Sequence, residues 1–143
     1  MGLPTNTQFA LAVHVLTMLA GLPRELQTSE GMAASAGSNP VHLRRVLGRL
    51  REAGLVSSRP GPGGGWRLVR DPAATTLADV WRVMNGDDPV LGLHEASPNC
   101  PVGRRIQADL AEVDRRARAA IAAELATTTL ADLAEPAALP AVF

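Results

Sequence analysis

Asn39-Pro40-Val41-His42-Leu43-Arg44-Arg45-Val46-Leu47-Gly48-Arg49-Leu50-Arg51-Glu52, followed by Ala53-Gly54-Leu55-Val56-Ser57-Ser58-Arg59-Pro60-Gly61-Pro62-Gly63-Gly64-Gly65-Trp66-Arg67-Leu68-Val69, decides how this chain folds. Asn39 is a strong N-cap, and Pro40 presets φ at the first helical position, where no amide donor is needed. A helix starts there. At about 100° per residue, Leu43, Val46, Leu47, Leu50 and Gly54 share one stripe, and Val41, His42, Arg45, Gly48, Arg49 and Glu52 share the other. One face is core and the other is free. Arg44 and Arg51 project from the flank, so the exposed half offers guanidinium forks to guanine edges or phosphates.

Working outward, Ser29-Glu30 begins a shorter helix in which Ala33 permits close approach of a crossing helix. Gly37 suits the positive φ that ends a helix before a tight turn. Downstream, Val56 to Arg59 and Trp66 to Val69 read as two strands joined by a glycine-rich tip, with Trp66 and Leu68 alternating with Arg67. A phosphate-binding loop would need Gly-Lys-Ser/Thr and a helix after the glycines, whereas a strand follows here. Helix, turn, arginine-loaded helix and hairpin form a winged helix-turn-helix, in a fold that is mainly α with one small β-hairpin. That order implies DNA binding.

The net charge is zero, but its distribution is not even. Residues 40–70 hold seven arginines against Glu52 alone, while residues 71–143 hold six arginines against eleven acids. Basic charge concentrated on the proposed reading segment is the footprint phosphate binding requires. The candidate contacts to double-stranded DNA are Ser38, His42, Arg44, Arg45 and Arg49 around the helix, and Arg59, Gly63, Gly64 and Arg67 on the wing.

The same stretches carry a resemblance. Asn39 to Leu47, Leu50 to Val56 and Arg59 to Trp66 resemble the Rrf-two family of bacterial transcription regulators, and the likeness runs from the first helix through Thr76-Leu77-Ala78-Asp79-Val80 to Asn99-Cys100-Pro101-Val102-Gly103. It implies a homodimeric repressor or activator whose second helix enters the major groove while the wing meets the flanking backbone or minor groove.

With 143 residues and 46% apolar content, the chain is the size of one domain. Thr5-Asn6-Thr7-Gln8 has the capping-box form and opens a helix to about Ala20, with Phe9, Val13, Leu16 and Ala20 inward. Its His14 reads as a surface or hydrogen-bonded side chain. The apolar run from Phe9 to Leu22 is too short to span a bilayer, and no basic segment precedes it, so neither a membrane anchor nor a secretory signal is expected. A single cysteine leaves no internal disulfide and points to a cytoplasmic setting.

Beyond the wing, Thr76-Leu77-Ala78-Asp79 is a capping signature for a helix to about Asn85, stopped by Gly86, with Val80, Trp81 and Met84 as core. Residues 86–100 read as a loop, which in the resembling family carries the sensing chemistry. From Pro101 a long helix repeats Val102, Ile106, Leu110, Val113, Ala117, Ala120, Ile121 and Leu125 at three- and four-residue steps. Arg104, Arg105, Asp109, Glu112, Arg115, Arg116 and Arg118 lie on its solvent side. So long a seam exceeds what a small winged domain covers, and a second copy of the chain is the expected partner. Thr129-Leu130-Ala131-Asp132 repeats the capping signature. The expected divisions are a DNA-binding domain (1–85), an effector loop (86–100), dimerisation helices (101–135) and a frayed tail (136–143).

Cluster-binding members of the resembling family place three cysteines in the loop and the start of the long helix. Here only Cys100 stands, so no iron-sulfur cluster or other cofactor is expected; His94 and Glu95 beside it make a weak metal set. Cys100 is instead a redox-sensing candidate, at a helix start near Arg104, the electropositive setting that reactive thiols occupy. A structural cysteine is the plainer reading. A cysteine-dependent enzyme would have only His94 as a base, with no third member or oxyanion motif, and none is expected. A winged module that binds protein is the other alternative. The effector is unknown.

Overall fold

The structure, a computed structural model, describes residues 7–134. Its elements run α1 (Thr7–Gly21), α2 (Ser29–Ala36), α3 (Pro40–Glu52), β1 (Val56–Arg59), β2 (Gly65–Leu68), α4 (Leu77–Asn85), α5 (Pro101–Leu125) and α6 (Leu130–Leu133). The expected class is the one observed: helices, one antiparallel hairpin and a long helix near the C-terminus. The Thr5 capping box and the tail from 136 onward lie outside the described residues.

The start of α3 follows from its first two residues. Asn39 Oδ1 accepts the Val41 amide at 2.8 Å, and Pro40 occupies the first turn. Leu43, Val46, Leu47 and Leu50 are all buried, packing on Met32 and Ala33 of α2 and on Ala12, Val15, Leu16 and Leu19 of α1. Gly37 ends α2 at φ +62°, and the Ser38 amide returns to the Ala33 carbonyl at 2.9 Å. A left-handed residue there makes the turn into α3 abrupt, and glycine adopts it without steric cost. Gly54 departs from its expected place on the core stripe. It lies past the end of α3 at φ +80°, exposed, and turns the chain into β1.

In α1 the inward face also differs from the sequence reading. Leu11, Ala12, Val15, Leu16 and Leu19 are buried, whereas Phe9, Val13 and Ala20 are half-covered. The helix is apolar on nearly every side, so periodicity could not single out one face. Its second side is used as well, because Phe9 meets Trp81 of α4 edge to face, centroids 5.3 Å apart.

The C-terminal part divides in an unexpected way. Thr75-Thr76-Leu77-Ala78-Asp79 recurs as Thr128-Thr129-Leu130-Ala131-Asp132, and both copies form complete capping boxes. The copies meet head to head: the Leu77 amide donates to Thr128 and the Leu130 amide to Thr75, each at 2.9 Å. Leu130 is wholly buried beside α1, a burial that stabilises by about 2 kcal/mol. Thus α6 joins the core of the N-terminal unit, although the sequence grouped it with the long helix. By contrast, α5 buries only Gly103 and Asp114 and leaves Val102, Ile106, Leu110 and Val113 between 36% and 65% exposed.

Candidate nucleic-acid interface

On α3 the core side is centred between Leu43, Val46, Leu47 and Leu50, so the positions farthest from it are Val41, Arg45, Gly48 and Glu52. Arg44 and Arg49 each fall about 110° from that centre, on opposite flanks. This angular difference decides what each arginine does. Arg45 is exposed and its side chain bonds no described residue, which leaves the guanidinium open to a partner. Arg44 places Nη2 3.0 Å from Glu30 Oε1 and donates Nε to Ser29 Oγ at 3.4 Å. The Glu30 carboxyl is held below its usual range, first by its own backbone amide and then by Arg44.

The sequence reading grouped Arg49 with Arg45; the structure separates them. Arg49 Nη1 donates to Gln8 Oε1 at 2.9 Å, and Nη2 donates to the Val83 and Met84 carbonyls, each at 3.0 Å. Those carbonyls end α4, where the helix dipole favours a cation. Arg49 is therefore a brace between α1, α3 and α4, because a flank position meets neighbouring helices before it meets solvent. His42, on the same flank, is half-buried. Ser38 is also half-buried in the turn, its hydroxyl 3.5 Å from the Asn39 carbonyl.

The wing is set by its register: Val56 pairs Leu68, Ser57 pairs Arg67, Ser58 pairs Trp66 and Arg59 pairs Gly65. Alternation puts Val56, Ser58, Trp66 and Leu68 on one face and Ser57, Arg59 and Arg67 on the other. On the first face Arg51 of α3 lies 5.3 Å from the Trp66 ring centroid and donates to Ser58 Oγ at 3.0 Å, fixing the hairpin against the helix. On the second, Arg67 Nε donates to Ser57 Oγ at 3.3 Å while the Arg59 side chain bonds no described residue. At the tip, a Cβ on Gly64 would overlap the Arg59 carbonyl oxygen, so Gly64 is demanded by closure of the turn. Gly63, at φ +75°, is exposed. Among the described residues, Arg45 on the outward face of α3 and Arg59 on the wing thus keep guanidinium groups without a partner, an arrangement suited to phosphates and base edges.

The loop from 86 to 100 has no regular structure, as expected, but it is fastened. Asp114 Oδ1 accepts the Val90 and Leu91 amides, each at 2.8 Å, and Oδ2 accepts Arg118 Nε at 3.0 Å. Arg118 also reaches the Asp87 carbonyl at 3.3 Å, and Gln107 donates to the His94 carbonyl at 3.1 Å. The Asp114 carboxyl is held below the usual range, by the Leu91 amide foremost, then by Val90 and Arg118. Arg118 therefore faces the loop, not solvent as the heptad-like pattern suggested. Cys100 is exposed and caps α5, its Sγ 3.4 Å from the Gly103 amide.

A family model described as an iron-dependent transcriptional regulator, Rrf2, matches residues 5–136. The chain belongs to the Rrf2 family. Among similar proteins, YwnA of Bacillus subtilis, assigned as an HTH-type transcriptional regulator, is 35% identical over 129 residues, covering 90% of this chain and 95% of that protein. The HTH-type transcriptional regulator CymR of the same organism is 37% identical over 136 residues, covering 94% and 90%. Its solved structure, described as that of the global cysteine regulator of B. subtilis, superposes with a TM-score of 0.64 at 28% identity, covering 90% of this chain and 93% of that one. The T. potens IscR structure superposes with a TM-score of 0.63 at 25% identity, covering 99% and 96%. These relatives are regulators of transcription, not enzymes, and DNA binding is implied for this Rrf2 chain. The iron in the family description meets an unsuitable donor set here. Cys100 is the chain's single thiol, and no three His, Cys, Asp or Glu side chains converge among the described residues.

Proposed function

We propose that this Rrf2 regulator is a cytoplasmic homodimer that binds a sequence-specific operator and represses transcription by occupying it. The observation that carries this reading is Arg45, whose side chain bonds no described residue, on the outward face of a firmly packed α3, with Arg59 and Arg67 exposed on the wing that follows. Dimerisation is supported by α5, whose apolar row of Val102, Ile106, Leu110 and Val113 is left exposed by the described residues; a second copy would bury it. Two reading helices about 34 Å apart would match a palindromic operator. No helix among the described residues is long and apolar enough to cross a membrane. Regulation fits the loop at 86–100: Cys100 is exposed at the start of α5, and the loop before it is pinned to that helix. Modification of the thiol would alter the N-cap and, through α5, the spacing of the two reading heads. No cofactor is required for this.

Selection of bound fragments from random duplex DNA, with and without mild peroxide, tests the reading. Recovery of a palindromic sequence by the wild type, lost reversibly under peroxide and retained by Cys100→Ser, is expected. Sedimentation should give a dimer, and Ile106→Asp a monomer with weakened operator binding. Failure to enrich any sequence would refute the DNA assignment; an identical peroxide response in Cys100→Ser would refute the switch.

A further inference from the structure

The connection between α1 and α2 is sewn to the wing. Gln27 and Trp66 exchange backbone hydrogen bonds at 3.0 and 2.8 Å, so the connection is tied at Gln27 to the free edge of β2, directly after the turn at residues 23–25. Gly65 permits it: at φ +155° a Cβ there would stand 2.8 Å from the Gln27 carbonyl oxygen. The result is an open cleft of about 930 Å³ lined on one side by Arg24 and Glu25 and on the other by Ser57, Arg59, Gly63 and Arg67. The side chains of Arg24 and Arg59 bond no described residue, and Arg67 uses only Nε, which leaves its two terminal nitrogens without a described partner. Three arginines line the cleft against the single carboxylate of Glu25. Like charges gathered around a polar, serine-lined cleft are stabilised by an anion, and guanidinium forks match phosphate oxygens.

We propose that this cleft is a second phosphate contact on duplex DNA, in which Arg24, outside the helix-turn-helix, completes a clasp begun by Arg59 and Arg67. The inference rests on the DNA-binding reading above and extends the footprint to the far side of the wing. The cleft is open and edged by the wing itself, so a sugar-phosphate strand running past the tip can enter it lengthwise. Contact with phosphate carries no sequence information, so Arg24 contributes affinity and not specificity.

Arg24→Ala, titrated against the selected operator and against a scrambled duplex at several salt concentrations, tests the assignment. Each phosphate contact contributes about 0.9 to the slope of log K on log salt, so the slope should fall by about that amount. Affinity for both duplexes should drop by the same factor, with an unchanged melting temperature, and Arg24→Lys should restore the slope. A wild-type slope in Arg24→Ala, or a loss confined to the operator, would overturn the clasp while leaving the DNA-binding reading intact. Absence of salt-dependent binding by the wild type would overturn both.

Discussion

Replacing Arg49 with alanine removes three donated hydrogen bonds, to Gln8 and to the Val83 and Met84 carbonyls, without touching the outward face of α3. Hydrogen bonds of this kind contribute about 0.5 to 1.5 kcal/mol each, and the cation at the end of α4 adds about 0.5 kcal/mol. Water can reach this exposed site and replace part of the loss, so the net cost should be about 2 kcal/mol. For a chain of this size that corresponds to a fall of roughly 8 °C in melting temperature. Arg45→Ala should do the reverse. Its side chain has no described partner, so stability should move by less than about 0.5 kcal/mol, while operator affinity falls by about 1 to 3 kcal/mol if it meets a base. Thermal unfolding followed by circular dichroism, alongside titration with labelled operator, separates the two. An Arg49→Ala protein that melts like the wild type but binds as poorly as Arg45→Ala would refute the division between brace and reader.

Gly48 sits on the outward face of α3 with open space where a Cβ would go. Gly48→Ala should therefore raise stability by about 1 kcal/mol through helix propensity and lower operator affinity by placing a methyl group against the DNA; unaltered affinity would remove that face from the contact. Asp114 has a depressed carboxyl pKa, so its contribution is present above the unfolded value of about 3.9 and is lost as pH falls through the lower folded value. Protection from hydrogen exchange at the Val90 and Leu91 amides should accordingly hold at neutral pH and be lost only in strong acid, whereas Asp114→Ala, which removes the acceptor, should lack it throughout. Equal protection in both proteins would show that the carboxylate does not hold the loop.

Much of the molecule is written in short-range chemistry. Asn39-Pro40 starts α3, the leucine spacing chooses its buried side, Gly37 ends α2, and the repeated Thr-Leu-Ala-Asp signatures start α4 and α6, because each depends only on residues within a turn or two. The outward position of Arg45 follows from the same periodicity. Other features depend on which surfaces meet. An evenly apolar α1 has no face of its own until α3 and α4 cover it. Arg49 and Arg45 differ by only about 40° around the helix, and the nearby end of α4 makes one a brace and leaves the other free. Asp114 holds a loop more than twenty residues away in sequence, and Arg24 comes to line one cleft with the wing because Gln27 pairs with Trp66. Such contacts join parts of the chain too distant for helical or strand periods to relate, so packing alone assigns those side chains their work.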